Sequence, residues 1–343
     1  MKPRHRVAAG APVSRIRSSR GCSAGTFATL VLAAVLGFGR PAFAADAYPT
    51  RSVTILTPFA AGSVTDAAAR VLAQALQEQL GQTFVVENRA GAGGLLSASA
   101  VARAPNDGYT LLLTTNSTHS AANGLFKNVP YDPIKDFTPI ARIGSFASFI
   151  AVTPDKPYQT IQALVAHAKA DPGKLSYGVG NSTSHIVGET LKKRTGTDIV
   201  RVPYRSNPAV ITDLLANQIQ IMIADFNTGM PQLKAGRVSA LAVLTRTRNP
   251  ALPDVPTLNE TVMPGYHILA WAGMFGPAGM PPQAVKALAG AIETALNKPE
   301  IRQRFTSSGT DIYWSGPQDF DAFVKSELVN WTAMIKEAGI EPE

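Results

Sequence analysis

Residues 57–76, TPFAAGSVTDAAARVLAQAL, set four small residues, Ala60, Ala61, Gly62 and Ser63, between an apolar strand that ends at Phe59 and a helix. A helix start leaves several N–H groups unpaired and carries about half a positive charge. With only small side chains in front of it, a ligand can reach the backbone, and an anion binds without any basic residue. The same stretch also suits an ordinary strand–helix turn, with Thr65 as the cap and Asp66 favourable in the first turn. Taken alone, it leaves both readings open.

The arrangement recurs twice. In GVGNSTSH (178–185), Asn181, Ser182, Thr183 and Ser184 offer amide and hydroxyl donors beside the backbone, although each is also a good cap. In NSTHSAAN (116–123), Asn116, Ser117 and Thr118 follow the strand pattern YTLLLTTN. One polar strand end is routine. Three of them, spread over two α/β units, fit a ligand held in a crevice at the C-terminal edges of strands.

Other chemistries find no support. AGAGG (90–94) matches neither phosphate-binding glycine motif and reads as a tight turn into a helix. His119, His167, His185 and His267 show neither H-E-x-x-H spacing nor cysteine partners, so no metal site is expected. His185 stands one turn before Glu189, which predicts a local hydrogen bond. There is no G-x-S-x-G, hence no visible esterase nucleophile of that type. No catalytic residue and no cofactor is expected. LKKRTG (191–196) reads as a solvated helix end. Arg205, after VPY, either meets a carboxylate or lies on the surface. Trp271, Trp314 and Trp331 are scattered, as in core or hinge packing.

The composition bounds the partners. The 343-residue chain carries 32 basic and 24 acidic residues, a formal charge of +8. Residues 1–44 hold seven of the basic residues and none of the acidic ones; six of the seven precede an apolar run (FATLVLAAVLGF), which leads to the small-x-small ending of PAFA. That is the pattern of an export signal cut after Ala44, and the run is too short to span a bilayer. Beyond it the charge is 25 − 24 = +1, so nucleic-acid binding loses its electrostatic support. Cys22, the only cysteine, falls within the signal, leaving the exported protein without disulfides.

These loops need a frame. Strand patterns at 53–59, 83–89 and 109–116 alternate with helical ones at 66–81 and 91–104, the βαβαβ order of a parallel sheet covered by helices. A second set follows, with strands at 175–180, 199–204, 219–225 and 239–245 and helices at 161–171, 184–196, 208–217 and about 229–235. Helices close the chain at 281–298 and 317–339. The mostly uncharged stretches 137–154 and 266–279 suit crossings between two lobes, with the last helices rejoining the first.

The segments TPFAAGSVTDAAAR, VVENRAGAGG, APNDGYTLL, VPYDPIKDFTPIA, LSYGVGNSTSHIVGE, VPYRSNPAVITDLL, IQIMIAD, PALPDVPTLNE and GMFGPAGMP, in this order, resemble the Bug receptors. These are the extracytoplasmic solute-binding proteins of tripartite tricarboxylate transporters. The resemblance implies a type II periplasmic-binding-protein fold: two Rossmann-like α/β domains, 45–147 with 272–343 and 148–271, joined by a two-strand hinge. It implies a small organic carboxylate held by loops 59–65 and 181–184, partly through ordered water. Asn116, Ser117, Thr118, Tyr204, Arg205, Ser206 and Asp225 would line the rest. Gly62-Ser63 stands where the family usually has two glycines, and Arg205-Ser206 where it has lysine and glycine.

The expected mechanism is capture by domain closure in the periplasm by a monomer, then docking on membrane permease subunits. Presentation to a sensor protein, or a secreted enzyme acting on a carboxylate, are the competing expectations. A DNA-linked effector would carry a helix-turn-helix where the export signal stands.

Overall fold

Apolar runs with β-branched residues form the strands, and helical spacing covers them. The computed structural model describes residues 48–343, so the export-signal reading and Cys22 lie outside the described residues. The order is β1 (Val53–Thr57), α1 (Val64–Leu80), β2 (Phe84–Asn88), α2 (Leu95–Ala102) and β3 (Thr110–Thr115). A π-helical turn (Ser117–Ala121) then runs into α3 (Ala122–Leu125), followed by β4 (Phe137–Phe146) and β5 (Ser148–Val152). Next come α4 (Ile161–Ala170), β6 (Ser176–Val179), α5 (Ser182–Thr195), β7 (Val200–Pro203), α6 (Asn207–Leu215), β8 (Ile221–Asp225), α7 (Phe226–Lys234) and β9 (Ser239–Val243). The chain closes with β10 (Ala270–Pro277), α8 (Pro282–Asn297), α9 (Pro299–Ser307), β11 (Thr310–Ser315) and α10 (Pro317–Ala338).

Two sheets result, ordered β11-β4-β10-β3-β1-β2 and β7-β6-β8-β5-β9. β1 pairs in parallel with β2 and β3, and β6 with β7 and β8, as right-handed crossovers require. β10 and β5 run antiparallel to their neighbours. Only Ala147 separates β4 in the first sheet from β5 in the second, and the chain returns to the first sheet at β10.

Leu72 and Leu76 of α1 pack with Leu288 and Ile292 of α8 on one face of the first sheet. Trp271, Phe275, Phe320 and Val324 fill the other. Around the second sheet, Ile150, Ile186, Val187 and Ile223 share a cluster with Trp331 and Ile335 of α10. Thus α10 contributes to the cores of both sheets, and Trp271 and Trp331 are buried, as expected of packing residues.

Some elements differ from the sequence reading. The helix expected over 91–104 begins only at Leu95. Gly91, Gly93 and Gly94 have φ of 144°, 61° and 98°, and a Cβ on Gly94 would lie 2.8 Å from Pro58 and Thr118. Residues 116–123 form a helical turn rather than an open loop. β11 escaped notice, although TDIYWS has the alternation of an edge strand. The end of α5 is not merely solvated. Lys193 donates to the Glu337 carbonyl at 2.6 Å, and Arg194 pairs with the Glu337 carboxylate, tying α5 to α10.

Candidate functional site

The first loop folds as it does because Asp66 organises it. Gly62 takes φ 82°, and its N–H donates to Asp66 Oδ2 at 2.9 Å. Asp66 Oδ1 accepts from Arg70 Nε and from Asn88 Nδ2, both at 3.0 Å, and Asn88 also donates to the Phe59 carbonyl at 3.0 Å. Burial alone raises the Asp66 carboxyl, but the bonds from Arg70, Gly62 and Asn88 outweigh it and hold it below the ordinary carboxylate value. The cap of α1 is Ser63, whose hydroxyl accepts from the Asp66 N–H at 3.3 Å; the expected cap, Thr65, is fully buried inside the first turn. Starting the helix at Val64 leaves the N–H groups of Val64 and Thr65 without an acceptor among the described residues.

The second loop carries a capping box. Asn181 Oδ1 accepts from the Ser184 N–H at 2.9 Å, and Ser184 Oγ accepts from the Asn181 N–H at 3.2 Å. The Ser184 hydroxyl is therefore taken up by the backbone of Gly180 and Asn181. The Thr183 N–H meets no acceptor among the described residues. Ser182 reaches across the cleft: Asn116 Nδ2 donates to its hydroxyl at 2.9 Å, and Ser117 Oγ lies 2.9 Å from the same atom. A further crossing bond joins Asn227 Nδ2 to the Gly62 carbonyl at 3.1 Å.

Both helix starts open on one chamber of about 30 Å³. Phe59, Ser63 and Val64 line it from the first loop, Thr115, Asn116 and Ser117 from the end of β3, and Gly180, Asn181 and Thr183 from the second loop. Phe146, Ser148 and Ala270 come from the crossing strands, and Asn207 and Asp225 complete the wall. Of these, Val64, Thr115, Phe146, Ser148, Gly180, Asn207 and Ala270 were not foreseen. Asp225 is the one charged side chain in this wall; it caps α7, accepting at Oδ1 from the Thr228 N–H at 2.9 Å, and takes the Asn207 amide N–H at Oδ2. A space of this size holds a water or two rather than an organic acid.

A second chamber of about 320 Å³ shares Ser117, Gly180 and Asn181 with the first and adds Ser182, His185, Arg201, Tyr204 and Arg205. The remaining expected site residues fall elsewhere. Ala60, Ala61 and Gly62 lie at the outer rim, at least partly exposed; Thr118 turns inward to Thr114 at 2.6 Å; Ser206 is buried before α6. The expected His185–Glu189 bond does not form. Glu189 instead accepts from Tyr177 at 2.6 Å and pairs with Lys192 at 2.9 Å. Burial first, then the charge of Arg201, pulls the His185 pKa down to about 4.

Residues 68–340 match the model of the tripartite tricarboxylate transporter family receptor. The chain belongs to this receptor family. Among solved structures, the periplasmic binding protein BugD is 34% identical, with a TM-score of 0.83, over 86% of this chain and 100% of that one. A second receptor, R. palustris Rpa4515 with adipate, is also 34% identical, with a TM-score of 0.84 and the same coverage. MatC from Rhodopseudomonas palustris, with bound malate, is 30% identical, with a TM-score of 0.79, over 84% of this chain and 100% of that one. The receptor is therefore a two-domain periplasmic-binding-protein fold of the Bug type, from a family of solute-binding proteins rather than enzymes.

Proposed function

We propose that this receptor captures a small organic carboxylate between two lobes, 45–147 with 272–343 and 148–271, and delivers it to the permease subunits of a tripartite tricarboxylate transporter. It works in the periplasm, after loss of its first 44 residues, as a monomer and without turnover of the solute.

One observation carries the reading: the starts of α1 and α5 line a single chamber, and the N–H groups of Val64 and Thr183 among its lining residues meet no acceptor among the described residues. A carboxylate bridging them is stabilised only when both starts converge, so it favours the closed arrangement over the open one. Each helix terminus contributes about 0.3–1 kcal/mol, nearer 2 when partly buried. Charge-assisted hydrogen bonds add about 1.5–3 kcal/mol each. Together they reach the roughly 8 kcal/mol of micromolar binding. Phe59, Ser63, Asn116, Ser117, Asn181 and Thr183 form the inner wall of this site, and Tyr204 and Arg205 its outer extension. The adipate and malate in the similar receptors support the solute class.

The present chamber is smaller than such acids, so the solute enters an open form and displaces the Ser182 contacts with Asn116 and Ser117 as the lobes close. A thermal-shift screen of the exported protein against adipate, malate and citrate tests the reading. A rise in Tm with at least one acid, and none with neutral sugars, is expected. Stabilisation by sugars alone would sink it.

A further inference from the structure

The chamber wall holds one oxygen whose valence the fold leaves open. Asn207 is 4% exposed, and its Oδ1 has no hydrogen-bond partner. Its amide orientation is not free to change. Nδ2 donates to Asp225 Oδ2, and a flipped amide would set oxygen against a carboxylate oxygen. Oδ1 is thus an acceptor by necessity. It lies against Gly180, where a Cβ would stand only 2.3 Å away, so only glycine leaves this oxygen room in the wall both residues share. Beside it sits Asp225, whose negative charge meets no cation in the wall. A buried acceptor left unpaired costs about 1–3 kcal/mol. A plain diacid, ionised at both ends, brings no donor to this side and adds like charge to Asp225.

We propose that Asn207 and Asp225 form an acceptor pair that selects acids bearing an N–H donor beside the carboxylate, an α-ammonium group above all. This rests on the carboxylate-receptor reading and narrows it. The helix starts take the carboxylate, and the acceptor pair takes the ammonium, which neutralises the Asp225 field and satisfies Asn207 Oδ1 together. A hydroxyl in the same place satisfies the oxygen but not the charge. The recognised solute is therefore a zwitterionic or amino-dicarboxylic acid rather than a bare diacid.

A matched four-carbon series isolates the effect: succinate, malate and aspartate differ only at one carbon, which bears hydrogen, hydroxyl or ammonium. Calorimetry on the exported protein should rank aspartate first and succinate last, at least about tenfold apart, the weight of one charge-assisted bond. In Asp225→Asn the new amide donates to Asn207 Oδ1, which turns the Asn207 N–H toward the solute, so the gap between aspartate and succinate should shrink to about threefold or reverse. The Tm of each solute-free variant reports folding; if Asp225→Asn does not fold, Asn207→Ala should narrow the gap in its place. Succinate binding as tightly as aspartate, or a gap unchanged in a folded variant, overturns the proposal while leaving the carboxylate receptor standing. Failure of every acid in the series and of adipate removes both.

Discussion

The start of α1 and the start of α5 are built from the same kind of residues yet are held in different ways. At α1, the side-chain bracing is internal to one sheet's layer, with Asp66, Arg70 and Asn88 locking the loop from behind, and among the described residues only the Gly62 carbonyl takes a bond from the other side, from Asn227. At α5, the capping box secures the backbone, while Ser182 is committed to Asn116 and Ser117 on the other side. One helix start is a fixed anvil; the other is a latch. A small polar residue caps the helix in both cases. Where the next side chain points decides whether the loop stiffens its own lobe or joins two.

That contrast can be broken, most severely at the anvil. Asp66→Ala removes the acceptor of Gly62, Arg70 and Asn88 in a residue only 4% exposed, and should cost about 3 kcal/mol in urea unfolding. A loss below about 1 kcal/mol would mean the loop holds itself without the carboxylate.

The next effect is on pH. His119, in the turn after β3, is fully buried, stacks on Phe275 with ring centres 3.9 Å apart, and is pulled by burial to a pKa of about 3. Its folded value lies below the unfolded one of about 6.5, so its stabilisation is full above that pH and is lost as the pH falls toward the folded value. Between pH 7 and 5 stability should drop by about 2 kcal/mol from this group. His119→Phe should flatten the limb down to about pH 3, and His185→Gln only down to about pH 4, where its folded value lies. An equal flattening would erase the difference between the two sides.

The smallest effect concerns the latch. Ser182→Ala deletes the hydroxyl shared by Asn116 and Ser117, which should leave Tm nearly unchanged but shift the closed–open balance by about 1 kcal/mol, roughly fivefold. Small-angle scattering of the solute-free protein should show a larger radius of gyration. An unchanged radius would show that other contacts hold the cleft shut.

Much of this frame was legible because its signals are local. Leu72, Ala73 and Leu76 announce α1 by spacing alone, and the βαβ order follows from alternating strand and helix runs. The polar strand ends at Asn116 and Asn181 were visible as breaks in apolar runs. Asn207 was not, since its place in the wall depends on α6 beginning beside the end of β8, a meeting that neither segment encodes by itself. Phe146, Ser148 and Ala270 hid inside stretches whose apolar character spoke only of crossing strands. Thr65 and Ser63 were confused because both are good caps, and only the position of Asp66 and its partners chooses between them.

α10 is keyed at one end by Phe320 and Val324 and at the other by Trp331 and Ile335, each pair in the apolar interior of a different half. A single stiff rod threaded through both halves rules out parting them like drawers, because sliding would strip one pair of its oil. The proposed closure would then swivel about an axle near the rod, with the mouth gaping widest on the far rim and hardly at all beside the spindle.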